Sequence, residues 1–241
     1  MAIISTKAIV ISTIKYSDTS LIVRLYTKEV GLVSYLLKGI LKSKKGKLRT
    51  AYFQPLTQLS IISSHPDKRK LQLLKEAQVI HVYESIHTSV VKQSIVLFLS
   101  EILTSAIQEE ENNTLLYEYL ERSLIWFDSH EQISNFHLLF LLNLTKFLGF
   151  YPDVSQSNKN GFHLREGFFT DDLQDKEVIK GTEINQFKKL LGINFDTIEC
   201  MNFSKTERQR LLQTLIRYFE LHLGGFRTPK SLAVLETVFS K

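Results

Sequence analysis

The chain contains little cysteine, proline or glycine: among 241 residues there are one Cys, four Pro and ten Gly. The single cysteine, Cys200, excludes an internal disulfide framework and a cysteine-rich zinc site, and it suits a protein of the reducing cytosol. So few prolines and glycines argue against long disordered tracts. No secretory signal is visible, and the longest apolar runs, such as 138–142, are too short to span a bilayer. We therefore expect a cytoplasmic protein that does not enter a membrane.

Signatures of catalysis and of metal binding are also missing. The stretch from Gly39 to Lys47 is only superficially similar to a phosphate-binding P-loop, because six residues separate its glycines and Leu48 replaces the Ser or Thr that holds magnesium. The chain has no Gly-x-Ser-x-Gly motif, and its seven histidines show no metal-ligand spacing. We expect no enzymatic activity and no metal or other cofactor.

Positive charge is abundant only in the first third of the chain. Residues 1–80 contain 14 Lys and Arg against four Asp and Glu, a net charge of +10, whereas residues 81–241 have 16 against 21, a net −5. The charge is densest at 38–49, where six of twelve residues are cationic. Such a segment is typical of a polyanion-binding site, and nucleic acid is the most common polyanion. A solvated surface loop is the alternative interpretation.

Ten cationic residues are the candidate phosphate contacts, because they lie in two basic segments, at 38–49 and 64–70, or on a strand of the same region. They are Lys38, Lys42, Lys44, Lys45, Lys47, Arg49, Lys68, Arg69, Lys70 and Arg24. Tyr26, two positions after Arg24 on the outward side of the same strand, offers a ring for base stacking. Tyr35 and Tyr52 are similar candidates, whereas Phe53 is expected in the core.

Hydrophobic periodicity changes once along the chain. A period of two predicts strands at 8–14, 21–26, 32–37, 56–63 and 71–83. Five short strands in about 80 residues predict a closed barrel of the OB type. A period of 3.6 then predicts helices at 91–106, 114–127, 135–148, 183–191, after the Ser204–Glu207 capping box, and from Pro229 to Phe239.

These patterns predict a multidomain α+β chain. We expect a five-stranded OB-fold barrel domain at 1–83, followed by an all-α domain at 84–241. The helical domain would contain an irregular insert at about 153–182, with a short hairpin between Phe162 and Phe169.

Several segments resemble, in order, those of the RecO family of recombination and repair proteins. They are Asp18–Thr27 with Gly31, Lys38–Gly39 running through the basic segment to Arg49, Gln54–Leu56, Phe147–Pro152, Phe162–Gly167, Tyr218–Gly224 and Val234–Glu236. The resemblance spans nearly the whole chain and implies an OB barrel joined to a helical domain. It places DNA contact on the six cations of residues 38–49.

The resemblance also implies a function. Members of this family are mediators without enzymatic activity that bind single- and double-stranded DNA, anneal complementary strands and help to load recombinase onto strands coated with single-stranded DNA-binding protein. The implied partners are RecR, the single-stranded DNA-binding protein and, indirectly, RecA. We therefore expect a cytoplasmic, nucleoid-associated repair protein that is monomeric on its own.

Two departures from the family pattern bear on function. Many members carry two Cys-x-x-Cys pairs after the joint at 147–152, but residues 154–161 contain no cysteine. We therefore predict no zinc and expect Phe162, Phe168 and Phe169 to hold this region by packing. Many members also have Arg-Phe-Glu on the third helix, where this chain has Leu-Phe-Leu at 139–141. A partner-tail site that uses this arginine cannot be transferred, so tail binding stays a hypothesis.

Alternative functions stay open at this point. The runner-up is an OB-fold RNA-binding module associated with the ribosome or tRNA, which contacts to the 2′-hydroxyl would reveal. A protein adaptor whose basic segment meets an acidic partner would show no saturable oligonucleotide binding. An unrecognised hydrolase ranks last, because no catalytic constellation is visible.

Overall fold

A five-stranded barrel forms the first part of the chain. The computed structural model describes residues 2–42, 48–65, 71–108 and 111–239. The strands are β1 (Ala2–Lys15), β2 (Leu21–Thr27), β3 (Gly31–Leu37), β4 (Gln58–His65) and β5 (Gln72–Val79). They close in the order β1-β2-β3-β5-β4, in which only β3 and β5 run parallel. The predicted closed barrel is thus confirmed, and β1 extends further toward the N-terminus than the sequence pattern predicted.

Alternation along the strands separates the barrel core from its outer face. On β2, Leu21, Val23 and Leu25 are buried in the core, and Val23 lies opposite the buried Tyr35 of β3. A register shift between Val10 and Ser12 interrupts the pairing of β1 with β2. Such a bulge bends a strand, which lets the first part of β1 pair with β4 and the last part with β2.

Two helices pack against the barrel within the first compact unit, which ends at Ser129. They are α1 (Val90–Ala106) and α2 (Thr114–Ser129). The hydroxyl of Ser89 accepts a hydrogen bond from the Lys92 amide and so caps the start of α1. Ser100 on α1 donates to the carbonyl oxygen of Ile11 at 2.8 Å, which joins this helix to β1.

The second compact unit begins at His130 and combines helices with a small sheet. Its elements are α3 (Phe136–Phe147), β6 (Gly161–His163), β7 (Phe168–Thr170), β8 (Val178–Lys180), α4 (Thr182–Leu191), α5 (Lys205–His222) and α6 (Leu232–Val238). The sheet has the order β7-β6-β8. The hairpin predicted between Phe162 and Phe169 is confirmed, because these two residues pair directly.

Two details of the second unit differ from the sequence expectations. The strand β8 was not predicted, because three residues are too few to show a period of two. The last helix begins at Leu232 and not at Pro229, since the Leu232 amide donates to the Pro229 carbonyl in a turn that precedes it. The helix after the Ser204–Glu207 capping box is confirmed with both reciprocal hydrogen bonds.

The proposed domain boundary near residue 84 stays a prediction. In the structure α1 and α2 belong to the same compact unit as the barrel, and the division follows Ser129. Within the described part of the chain, no helix is both long and apolar enough to cross a membrane. In the same part of the chain, no three side chains of His, Cys, Asp or Glu form a group that could hold a metal ion.

Candidate nucleic-acid interface

The pairing of β3 with β5 places the end of one strand beside the start of the other. The strands run parallel, with Tyr35 opposite Gln72 and Leu36 opposite Leu73. β3 ends at Leu37, just before the first basic segment, and β5 begins two positions after the second. The end of β3 therefore lies beside the start of β5, and in the sequence each of these strand ends adjoins one basic segment.

The turn between β1 and β2 is tied to the start of the first basic segment. The Leu41 amide donates to the Thr19 carbonyl at 3.1 Å, and the Gly39 amide donates to the Ser20 hydroxyl at 3.3 Å. Gly39 has a φ of +69°, a left-handed conformation that glycine adopts without a steric penalty. These contacts fix where residues 38–42 leave the barrel.

Three of the predicted phosphate contacts lie exposed at this end of the barrel. Lys38, Lys42 and Arg49 have exposed side chains, and none lies within ion-pair distance of a carboxylate of the described residues. By contrast, Lys7 and Lys28 on the same barrel pair with Glu121 and Glu118 of α2 at 3.0 and 3.1 Å. The structure thus separates cations that hold α2 from cations that face solvent.

Six other predicted contacts lie outside the described residues. They are Lys44, Lys45, Lys47, Lys68, Arg69 and Lys70. Their role stays a prediction from the sequence.

Arg24 is engaged with the C-terminal end of α1. Its guanidinium donates to the carbonyl oxygens of Thr104 and Ile107 at 3.3 and 3.4 Å, and burial lowers its pKa. The last carbonyls of a helix lack intrahelical partners, so a nearby cation stabilises them. Arg24 is therefore not among the cations that we propose to bind DNA.

The tyrosines expected to stack bases occupy other environments. Tyr26 is only 2% exposed, and its hydroxyl donates to the Asn113 carbonyl. Tyr35 lies in the barrel core, and Tyr52 packs against that core beside the buried Phe53. The expectation that Tyr26 points to solvent is wrong, because the segment after α1 lies over this position of β2. The expectation that Phe53 is in the core is confirmed.

A row of apolar side chains that the sequence alone does not reveal lies on the outer face of the barrel. Cross-strand pairing aligns Ile14 with Ile22, Ile22 with Leu36, and Leu36 with Leu73. All four are exposed or partly exposed, and we call them the outer row. Tyr16 follows Ile14 by two positions, at the start of the β1–β2 turn. The period of two marks the outward positions, but only the strand register shows that they form one row.

Comparison with known proteins identifies the family. The model described as recombination protein O N terminal matches residues 1–83, and the model described as recombination protein O C terminal matches residues 87–232. The chain belongs to the RecO family. The resemblance deduced from the sequence is thus confirmed, and with it an OB-fold barrel and a place in DNA repair and recombination.

Individual relatives of this RecO-family chain are similar along almost their whole length. A protein of Christiangramia forsetii is 46% identical over 98% of this chain and 99% of its own, and one of Flavobacterium psychrophilum is 47% identical with the same coverage. A protein of Flavobacterium johnsoniae is 45% identical, again over 98% and 99%. All three are named DNA repair protein RecO, which does not favour the RNA-binding alternative.

The two departures from the family pattern have structural counterparts in the second unit. Leu139 and Leu141 of α3 are fully buried, so these positions contribute to the core. The segment at 154–161, which lacks cysteine, leads into the β6–β7 hairpin, where the ring centroids of Phe162 and Phe169 lie 5.0 Å apart. Phe168 is 43% exposed, so only two of the three predicted phenylalanines pack inside.

Proposed function

We propose that this chain binds single- and double-stranded DNA at the end of its barrel and anneals complementary strands. The observation that carries this proposal is the exposure of Lys38, Lys42 and Arg49 without a described carboxylate partner. They belong to a region of 80 residues with a net charge of +10. An unpaired cationic surface of this density attracts phosphates, because binding releases the counterions that nucleic acid holds.

Annealing follows from the same electrostatics. Two single strands repel each other through their phosphates, and this repulsion slows their encounter. Cations that neutralise phosphates on both strands lower the repulsion and raise the local concentration of one strand near the other. The chain therefore requires no bond-breaking chemistry for this role, and we propose that it is not an enzyme.

Its cellular role would be that of a mediator in recombinational repair. We propose that the chain helps to load RecA onto strands coated with the single-stranded DNA-binding protein, with RecR as its direct partner. The support is membership of the RecO family and similarity to relatives named as DNA repair proteins. We place this activity in the cytoplasm, at the nucleoid, and expect the isolated chain to be a monomer.

The experiment is strand annealing by the purified chain, on bare and on protein-coated single strands. A charge-reversal variant, K38E/K42E, changes two exposed cations of the barrel end. K189E/K230E makes the same change in charge at exposed positions of the second unit and serves as the control. We expect K38E/K42E to slow annealing at moderate salt while the control anneals like the wild type. Equal annealing by both variants would show that the barrel end is not the DNA site.

A further inference from the structure

The outer row forms an apolar strip at the end of the barrel where Lys38 and Lys42 are exposed. Tyr16 and Ile14 are 60% and 58% exposed, and Leu41, which is bonded to the same turn, is exposed as well. Lys38 comes directly after β3, two positions beyond Leu36, and is exposed. Contiguous exposed apolar side chains of this kind mark binding surfaces, whereas isolated ones need no explanation.

The uncovered part of the outer face is limited on one side by helix α1. Ile22, Arg24 and Tyr26 share the outward side of β2, but Arg24 donates to carbonyls at the end of α1, and Tyr26 donates to Asn113. On β2 the apolar outward side chain that stays partly exposed is Ile22, which lies at the end of the strand beside Tyr16. The accessible apolar surface therefore lies next to the cations and not across the whole sheet.

We propose that Tyr16 and the outer row stack the unpaired bases of a single strand, and that this surface thereby distinguishes single strands from duplexes. The proposal rests on the DNA binding proposed above and identifies the form of DNA that the site prefers. Unpaired bases expose their flat faces to an aromatic ring, whereas bases in a duplex are stacked on each other. The neighbouring cations contact phosphates, which both forms of DNA offer.

Hydrogen bonds anchor the backbone of the turn that carries Tyr16 before any strand arrives. The amides of Tyr16 and Ser17 both donate to the Ser20 carbonyl, and Thr19 and Ser20 in turn accept hydrogen bonds from Leu41 and Gly39. A ring on an anchored turn loses little conformational freedom on binding, so more of the stacking energy appears as affinity.

This arrangement has a consequence for annealing. When two complementary strands pair, their bases leave the ring and stack within the new duplex. The product is then held only through its phosphates, so it dissociates from the barrel more readily than the single strands did. The same surface would gather unpaired strands and release paired ones.

The test compares Tyr16→Ala and Tyr16→Phe in the full chain, with Phe168→Ala as the control for loss of an exposed ring. The probes are a thymine oligonucleotide that contains one 2-aminopurine, whose fluorescence changes on stacking, and a labelled duplex of the same length. We expect Y16A to weaken single-strand binding about tenfold and to remove the fluorescence change. Duplex affinity should stay within about twofold, because phosphate contacts are unchanged. Y16F and F168A should behave like the wild type.

The outcomes separate this proposal from the proposed function. If Y16A weakens single-strand and duplex binding equally, or weakens neither, the stacking proposal is wrong and DNA binding still stands. If Y16A keeps both DNA affinities but loses binding to RecR, the row is a protein-docking surface, and the proposal is again wrong. If the wild-type chain binds no DNA at all, the proposed function itself fails.

Discussion

The buried ammonium group of Lys92 donates a hydrogen bond to the backbone carbonyl of Asp128 at 2.9 Å. This carbonyl belongs to the last turn of α2, where helical carbonyls lack partners within the helix. The carboxylate of Asp128 accepts hydrogen bonds from the amides of Glu84, Ser85 and Ile86 at 2.9 to 3.0 Å. Residues on α1 and α2 and in the chain after the barrel therefore meet at one cluster.

Removing the Asp128 carboxylate should destabilise the first unit. Asp128→Ala leaves three backbone amides without an acceptor, and we expect a loss of about 2–3 kcal/mol in the free energy of unfolding. Asp128→Asn retains one oxygen acceptor and should lose less. Trp126, the single tryptophan of the chain, lies on α2, so its fluorescence in urea reports on this unit. Asp18→Ala, which removes a fully exposed carboxylate, is the control and should change nothing.

The same carboxylate should make stability depend on pH. Burial raises the pKa of Asp128, but the hydrogen bonds from the Glu84, Ser85 and Ile86 amides outweigh it and hold the pKa below the ordinary 3.8. A carboxylate whose pKa is lower in the folded chain stabilises the fold at pH values above its ordinary pKa. This stabilisation is lost as the pH falls through the pKa of the folded state. His81 Nε2 lies 3.9 Å from this carboxylate, and the ammonium group of Lys92 donates to the backbone carbonyl of the same residue.

The measurement is the difference in unfolding free energy between the wild type and D128N as a function of pH. We expect a constant difference above about pH 5 that shrinks as the pH falls below 3.8. A difference that grows toward low pH would contradict this account.

Aromatic packing should hold the β6–β7 hairpin. The ring of Phe162 is buried against Phe169 and Phe187, with centroids 5.0 and 4.8 Å away. We expect Phe162→Ala to cost about 3–5 kcal/mol by the cavity that it leaves, measured by urea unfolding followed by circular dichroism. Phe168→Ala, at an exposed position of the same hairpin, should cost less than 1 kcal/mol, as is usual for surface positions.

The absence of zinc also stays a prediction with a simple test. Metal analysis of the purified chain should find no stoichiometric zinc, and a chelator should leave the unfolding transition of the wild type unchanged. Bound zinc at one equivalent would contradict the prediction and would mean that residues other than a set of cysteines bind the metal.

Arg24 should affect stability without affecting the response of DNA binding to salt. Arg24→Ala removes two hydrogen bonds to the end of α1, which corresponds to a loss of about 1 kcal/mol. Trp126 fluorescence in urea measures this loss. The salt dependence of DNA affinity should stay that of the wild type, and a shallower dependence would show that Arg24 contacts phosphate.

Periodicity in the sequence was sufficient to predict the barrel, the hairpin at 162–169 and most helices, because each has several residues in one repeating pattern. Tyr26 shows the limit of this approach: its outward position on β2 was predicted correctly, but the segment that covers it comes from far along the chain. In the sequence Tyr16 stands at the start of a run of turn-forming residues, and its neighbours in the outer row become visible only through strand register. Pairing between distant segments is a tertiary property that local patterns do not encode.

We propose that exposed cations at the barrel end bind DNA phosphates, and the salt dependence of single-strand affinity is the measurement that tests this. If about six phosphates are neutralised, a plot of log affinity against log salt should have a slope near −4. K38E/K42E should make this slope shallower by about 1.4, whereas K189E/K230E should leave it unchanged. A wild-type slope near zero, or the same slope in both variants, would contradict the claim.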